Sequence, residues 1–405
     1  MESNWKRNTA LFIIGQTITV FGSSIVQYAI LWNITLTTQS GIMMTLISLV
    51  GFLPMFIISP IGGVWADRFD RKRLIVIADG IVALASLIVA ILLMMDLTYI
   101  SVLLVCTGVR ALGQGVQMPA VGAVIPQIVP TEHLTRVNGI HGSVQSLSYL
   151  LAPMLGALLM SYFSLQTLFF FDVITASIGI GILLFLVNVP HLDTQNEKSG
   201  VNYFRDMKEG LLYVKNNGFV LRLLIYSALY MIFATPAALL TPLQVVRNFG
   251  DDVWRLSAIE IAFSVGMMIG GLVIAAWGGF KNRILTMTFG LILFGLTVIG
   301  LGLASDFWVY LGIFVLTGMV MPFFNTPVMV ILQTKVEQDY MGRILSVFTM
   351  VSTSIMPLAM LAFGPIVDIV SIDTVLVFTG IIMVMLSILL VCNGTLRNAG
   401  LLEDA

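Results

Sequence analysis

Charge is what this sequence has least of. Asp, Glu, Lys and Arg together make up 10% of its 405 residues, with 20 basic against 21 acidic and a net charge of −1 at pH 7. No basic tract is available to neutralise a row of phosphates, which argues against a nucleic-acid partner. Cysteine is nearly absent: Cys106 and Cys392 both fall inside apolar runs, so neither a disulfide framework nor a metal site is indicated. No cofactor is expected. A G-x-x-x-x-G-K-[ST] loop is missing too, so nucleotide hydrolysis within this chain is not an energy source.

What the chain has instead is apolar residues, at 58% of the total and a mean hydropathy of +1.00. Soluble domains hold roughly 45–50%. At about 20 residues per crossing, the length accommodates a dozen spanning helices on short loops and no sizeable soluble domain. Lipid offers no water to backbone groups, so each apolar run is predicted to be helical. Polar breaks at 37–41, 67–73, 96–98, 130–136 and 164–167 separate six runs, and a long break spans 191–217. Breaks at 247–255, 281–283, 305–306, 335–343 and 371–373 separate six more. Lys6 and Arg7 before an apolar segment look like a secretory signal. That segment continues from Thr9 to about Thr37 without a small-residue cleavage site, so it is read as a retained first helix.

The fold class predicted is therefore all-α integral membrane, with twelve transmembrane helices in two six-helix bundles. The expected bundles are 1–190 and 218–405, joined by a linker over 191–217. With the N-terminus in the cytoplasm, nearly every loop cation falls on the cytoplasmic side, from Lys6 and the Arg68–Arg73 cluster to Arg343 and Arg397. Only Arg247 and Arg255 fall outside. The positive-inside rule thus places both termini on the cytoplasmic side of the membrane. Within the linker, Phe204, Met207, Leu211 and Val214 recur at helical spacing, which reads as an amphipathic helix on the inner surface or a plain flexible linker. Pro119 to Arg136 aligns with Pro327 to Arg343, with spacing one residue different, where a duplication of six helices places it.

The densest charge lies at Gly63-Val-Trp-Ala-Asp67-Arg68-Phe-Asp70-Arg71-Lys72-Arg73, between the second and third spans. Gly63 would let another helix pack closely, Asp67 suits the positive end of a neighbouring helix, and Arg68, Arg71 and Lys72 suit the anionic inner leaflet. The pattern resembles the signature loop of the major facilitator superfamily (MFS), with Asp70 where a glycine is usual. That resemblance implies a gating motif in which Asp67 meets the start of the eleventh helix near Gly342 and Arg343. Asp67 and Asp70 could also form half of a Mg²⁺ site in a membrane transferase, but no second acidic cluster shares their side.

Charges inside spans are costly, by about 2.5–3.5 kcal/mol at mid-membrane, and are functional candidates by default. They are Arg110, Asp79, Asp172 and Glu260. Asp79 is expected to pair with the Arg68–Arg73 cluster or to carry a proton, and Glu260 to pair with Arg255 or to carry one. Resemblance to MFS exporters implies a coupling role for Arg110, in Arg110-Ala-Leu-Gly-Gln-Gly115, with the glycine one place later than usual. Polar stripes suggest a substrate cavity: Gln16, Ser23 and Gln27 on the first helix, Gln114 and Gln117 on the fourth, and His141 and Gln145 on the fifth. Tyr226, Tyr230 and Asn325 are candidates in the second half. Ala152-Pro153-Met154-Leu155-Gly156 resembles the end of the MFS antiporter motif.

The run Pro119-Ala120, Ile125-Pro126, Val129-Pro130, then Leu134 and Asn138, together with Asp67-Arg68-Phe69-Asp70-Arg71-Lys72, resembles the bacterial MFS branch that includes macrolide-efflux proteins and enterobactin exporters, which implies a place in a bacterial cell membrane. The resemblance implies export of a hydrophobic or amphipathic small molecule by proton antiport with alternating access, by a monomer in the bilayer. A siderophore or metabolite exporter, a non-transporting sensor and a membrane enzyme remain as alternatives.

Overall fold

The computed structural model describes residues 2–97, 99–190 and 203–399. Among them, twelve helices are long and apolar enough to cross a membrane. They are α1 (Glu2–Thr38), α2 (Gly41–Arg68), α3 (Arg71–Met94), α4 (Ile100–Ile128), α5 (Leu134–Tyr162) and α6 (Leu165–Gly181) in the first half. After the interhelical α7 (Tyr203–Asn216), the seventh span comprises α8 (Gly218–Thr235), a wide turn over Pro236–Leu240, and α9 (Thr241–Phe249). Then follow α10 (Val253–Trp277), α11 (Arg283–Leu303), α12 (Phe307–Lys335), α13 (Gln338–Ile366) and α14 (Ile372–Cys392), with a short α15 (Gly394–Ala399). The large exposed residues are apolar all along the spans, Ile57, Phe185 and Leu272 among them. Such a surface is at home only in hydrocarbon, and the chain is a multi-pass membrane protein.

Contacts divide the chain into two units, Met1–Thr38 with Leu46–Gly200, and Gln39–Thr45 with Val201–Ala405. In the first, α1 packs on α5 and α6, and α3 on α4 and α6. Small residues make the approach close: a Cβ on Gly22 would stand 2.0 Å from Thr175 Oγ1, and one on Gly179 would stand 2.0 Å from Thr19 Oγ1. In the second, α10 packs on α12 and α11 on α14. A Cβ on Gly270 would lie 1.9 Å from the Met319 carbonyl. Between lipid-soluble helices there is no hydrophobic drive to associate, so backbone proximity of this kind supplies the packing.

The fourth span of each half is a 29-residue helix with two internal prolines, Pro119 and Pro126 in α4 and Pro322 and Pro327 in α12. The fifth span of each half, α5 or α13, also has 29 residues. The amphipathic segment is helical, but it is docked rather than simply laid on a surface. Gly210 and Val214 are buried, Gly210 against Arg343 and Val347 of α13, while Tyr213 stacks on Tyr340 at 4.6 Å. Leu211, expected on the apolar face, is 45% exposed, and the side chains of Phe204 and Met207 lie outside the described residues.

Candidate functional site

Four helices of the first unit converge on one buried ion pair. Arg110 of α4 and Asp172 of α6 have side chains 1% and 0% exposed and meet at 2.5 Å. Arg110 Nη1 also donates to Ser86 Oγ of α3 at 2.6 Å, and Nη2 to the Ser23 carbonyl of α1 at 2.7 Å. Asp172 accepts in addition from Ser23 Oγ at 2.9 Å and Ser86 Oγ at 2.7 Å. Two charges removed from water cost several kcal/mol each, and only such dense hydrogen bonding offsets that. The sequence flags Arg110, Asp172 and Ser23 separately, and the fold brings them together. Ser86 is missed, although it lies seven residues from Asp79 on the buried face of α3.

Beside the pair runs a cleft of about 240 Å³ bounded by Ser23, Gln27, Tyr28, Asp79, Gln114 and Gln117. A second cleft, of about 120 Å³, shares Gln117 and Gln145 with it and adds Gln16, His141 and Ser148. All seven first-half cavity candidates therefore line one or both. Gln117 Nε2 donates to Gln16 Oε1 at 3.1 Å.

Asp79 does not pair with the Arg68–Arg73 cluster. It lies two turns into α3, buried at 4% exposure, and the Gln117 amide reaches it. Among the described residues its Oδ2 accepts no hydrogen bond.

The loop between α2 and α3 is built as a set of caps. Asp70, at the position where the MFS pattern has glycine, is the N-cap of α3 and accepts from the Arg73 N–H at 2.9 Å. Arg71 donates to the carbonyls of Ala66 and Ala123, both at 2.8 Å, and Lys72 Nζ to those of Leu184 and Val187 at the end of the sixth span. Asp67 is 71% exposed and lies 3.8 Å from Arg71, and Arg68 is exposed. The close approach expected at Gly63 belongs to its neighbour. A Cβ on Gly63 would meet nothing within 4 Å, whereas one on Gly62 would lie 2.7 Å from the Gly115 carbonyl.

The second unit places its candidates differently. Tyr230 is core, 2% exposed, stacked on Phe324 at 4.0 Å with its hydroxyl on Met321 Sδ. Tyr226 is half-buried and donates to the Leu389 carbonyl, and Asn325 is exposed. Glu260 is half-buried and has no ion pair with Arg255, which binds Asp252 at 3.2 Å and stands over the Trp254 and Phe307 rings.

Two polar clusters here escape the sequence reading. Gln244, fully buried, donates to Asp373 and the Leu301 carbonyl and accepts from the Tyr310 hydroxyl. Asp368 accepts from the Gly41 and Ile42 N–H groups at 2.7 and 3.0 Å, from Ser40, and from Arg247 at 2.7 Å. Burial pushes the Asp368 carboxyl up, but these donors outweigh it and hold the group below its ordinary value. The available signal was Arg247 itself, one of the two cations that the sequence sets apart from the rest. Among the described residues no group of His, Cys, Asp and Glu is arranged to hold a metal ion.

The sequence matches the family model described as Major Facilitator Superfamily over residues 12–360. It is 31% identical to Macrolide efflux protein A of Streptococcus pyogenes over 389 residues, covering 95% of this chain and 96% of that protein. It is 34% identical to Macrolide efflux protein A of Enterococcus faecalis over 316 residues, 77% of this chain and 96% of that one. Multidrug efflux pump Tap of Mycolicibacterium fortuitum is 23% identical over 98% of this chain and 99% of its own. Among solved structures, a POT family transporter in complex with 5-aminolevulinic acid superposes with a TM-score of 0.71 at 12% identity, over 95% of this chain and 96% of that one.

Proposed function

The chain belongs to the Major Facilitator Superfamily, and from that premise we propose a secondary active exporter of hydrophobic or amphipathic small molecules, macrolides among them, driven by proton antiport. The observation that carries this reading is the cleft lined by Gln27, Asp79, Gln114 and Gln117 that shares Ser23 with a fully buried Arg110–Asp172 pair. A membrane-embedded ion pair braced by the Ser23 and Ser86 hydroxyls is costly to build, and in a protein that moves solutes such groups mark the route of cargo or ion. Coupling is assigned to Arg110, Asp79 and Asp172, with Glu260 as the carboxylate of the second unit. The bundles 1–190 and 218–405 would then alternate in exposing the clefts to either side, with the Gly63–Lys72 loop as a cytoplasmic gate and both termini in the cytoplasm.

Reconstitution tests this. In proteoliposomes with an imposed pH gradient, macrolide or dye flux is expected to follow the gradient, to stop with a protonophore, and to fall with Arg110→Ala. Gradient-driven flux that persists at full rate in Arg110→Ala overturns the coupling assignment. Absence of flux for macrolides and dyes alongside transport of a siderophore overturns the cargo class.

A further inference from the structure

We propose that a hollow at one end of the first unit binds the headgroup of an anionic phospholipid that carries a hydroxyl group, as phosphatidylglycerol does. The hollow shares no residue with the two clefts above, and the inference is independent of what the protein transports.

The hollow, of about 410 Å³, lies where α1 begins and where α4 and the sixth span finish. Its polar wall is made by Arg7, Asn8, Gln127 and Asn188, and no acidic side chain lines it. Helices that finish at a membrane face leave carbonyls without partners, and those carbonyls repel a phosphate. At the end of the sixth span they are already taken. Lys72 Nζ donates to the Leu184 and Val187 carbonyls at 3.0 and 2.7 Å. The Asn8 amide pairs with the backbone of Asn188 on both sides, donating to its carbonyl at 2.6 Å and accepting from its N–H at 2.8 Å. Arg7, next to Asn8, is exposed and has no ion-pair partner among the described residues. Its guanidinium offers the planar fork of donors that fits two phosphate oxygens.

Gln127 selects the rest of the headgroup. Its Oε1 is buried and accepts no hydrogen bond among the described residues, although the side chain forms part of the wall. An acceptor left empty in this way costs free energy, which a donor on the headgroup recovers. A hydroxyl both donates and accepts, so it serves this amide whichever way the amide turns. Ethanolamine and choline headgroups bring a cation of their own to a wall that already holds Arg7, and match it less well. Trp5, stacked on His133 at 4.9 Å, forms the apolar side with Leu11 and Leu186, the last 52% exposed. A tryptophan at the end of a span is the mark of a membrane interface, which points to a lipid and not to a soluble phosphate ester.

Native mass spectrometry of the full chain in detergent, titrated with defined lipids, tests this. Dioleoyl phosphatidylglycerol is expected to bind saturably. It should bind about twofold to tenfold tighter than dioleoyl phosphatidylethanol, which has the same charge and no headgroup hydroxyl, the worth of one hydrogen bond. Arg7→Gln should weaken both anionic lipids by about tenfold or more, beyond the roughly fivefold that a cation near an anionic surface commands without specific contact. Arg397→Gln, which removes an exposed cation of the second unit, should change neither. Gln127→Leu should erase the preference for phosphatidylglycerol, and Gln127→Glu, close to the native shape, should lower binding of both lipids by like-charge repulsion. The proposal is overturned if Arg7→Gln binds both lipids as wild type does, or if Arg397→Gln weakens them equally. It is overturned too if whichever Gln127 variant folds binds as wild type does. Glycerophosphoglycerol, the same headgroup without acyl chains, separates the two sources: binding as tight as that of the lipid makes the hollow a site for a soluble phosphate ester and defeats the lipid assignment.

Discussion

The guanidinium of Arg110 and the carboxylate of Asp172 meet 62 residues apart in sequence, on helices α4 and α6, with neither side chain open to solvent. Removing one partner strands the other's charge, whereas removing both leaves only a packing defect. Arg110→Met or Asp172→Leu alone is expected to destabilise the protein by about 3–5 kcal/mol, read as a loss of thermal stability in detergent. The double variant should regain most of that stability but not gradient-driven flux, and a double variant that transports normally would reduce the pair to scaffolding.

Backbone proximity makes the second prediction. Gly270→Ala places a methyl group 1.9 Å from the Met319 carbonyl, so α10 and α12 must separate, at a cost of about 1–3 kcal/mol. Gly63→Ala adds its methyl group to open space and should leave the melting temperature unchanged. Gly62→Ala, facing the Gly115 carbonyl at 2.7 Å, should lower it.

The cap on α3 makes the third. Asp70→Ala loses the bond to the Arg73 N–H and should cost about 1 kcal/mol, while Asp70→Gly should cost only a few tenths. The glycine that MFS loops usually carry here is then energetically close to what this chain has.

Asp368 predicts a pH dependence. Its folded-state pKa lies below the ordinary 3.8, so its contribution to stability is fully present above that value. It disappears as the pH falls through the lower folded value. Melting temperatures taken downward from pH 6 should show wild type losing its advantage over Asp368→Asn only below about pH 4. An advantage lost near neutrality would mean a different group is titrating.

The spans were legible because lipid imposes a simple rule: an apolar run of sufficient length becomes a helix, and the twelve runs stand out against scarce charge. The polar stripes were legible for a related reason, since Gln16, Ser23 and Gln27 recur at helical spacing on α1 and nothing in hydrocarbon would retain them otherwise. Pairings were not. That Asp172 meets Arg110, or that Asp79 turns from the nearby basic loop toward Gln117, depends on the rotation of each helix about its axis, which a stripe of one or two residues does not fix. Gly62 and Gly63 show the limit most sharply. Adjacent glycines differ by 100° around a helix, and only one of them meets a neighbour.

The prolines of α4 and α12 have a mechanical consequence. Each lacks an N–H, so the carbonyl four residues before it, at Gly115 and Gly122 in α4 and at Gly318 and Phe323 in α12, loses its rung in the helical ladder. A rod with two rungs missing yields to bending with less work than an intact one. Both long rods are weakened in this way, so each carries its own compliance instead of borrowing it from the loops at its ends.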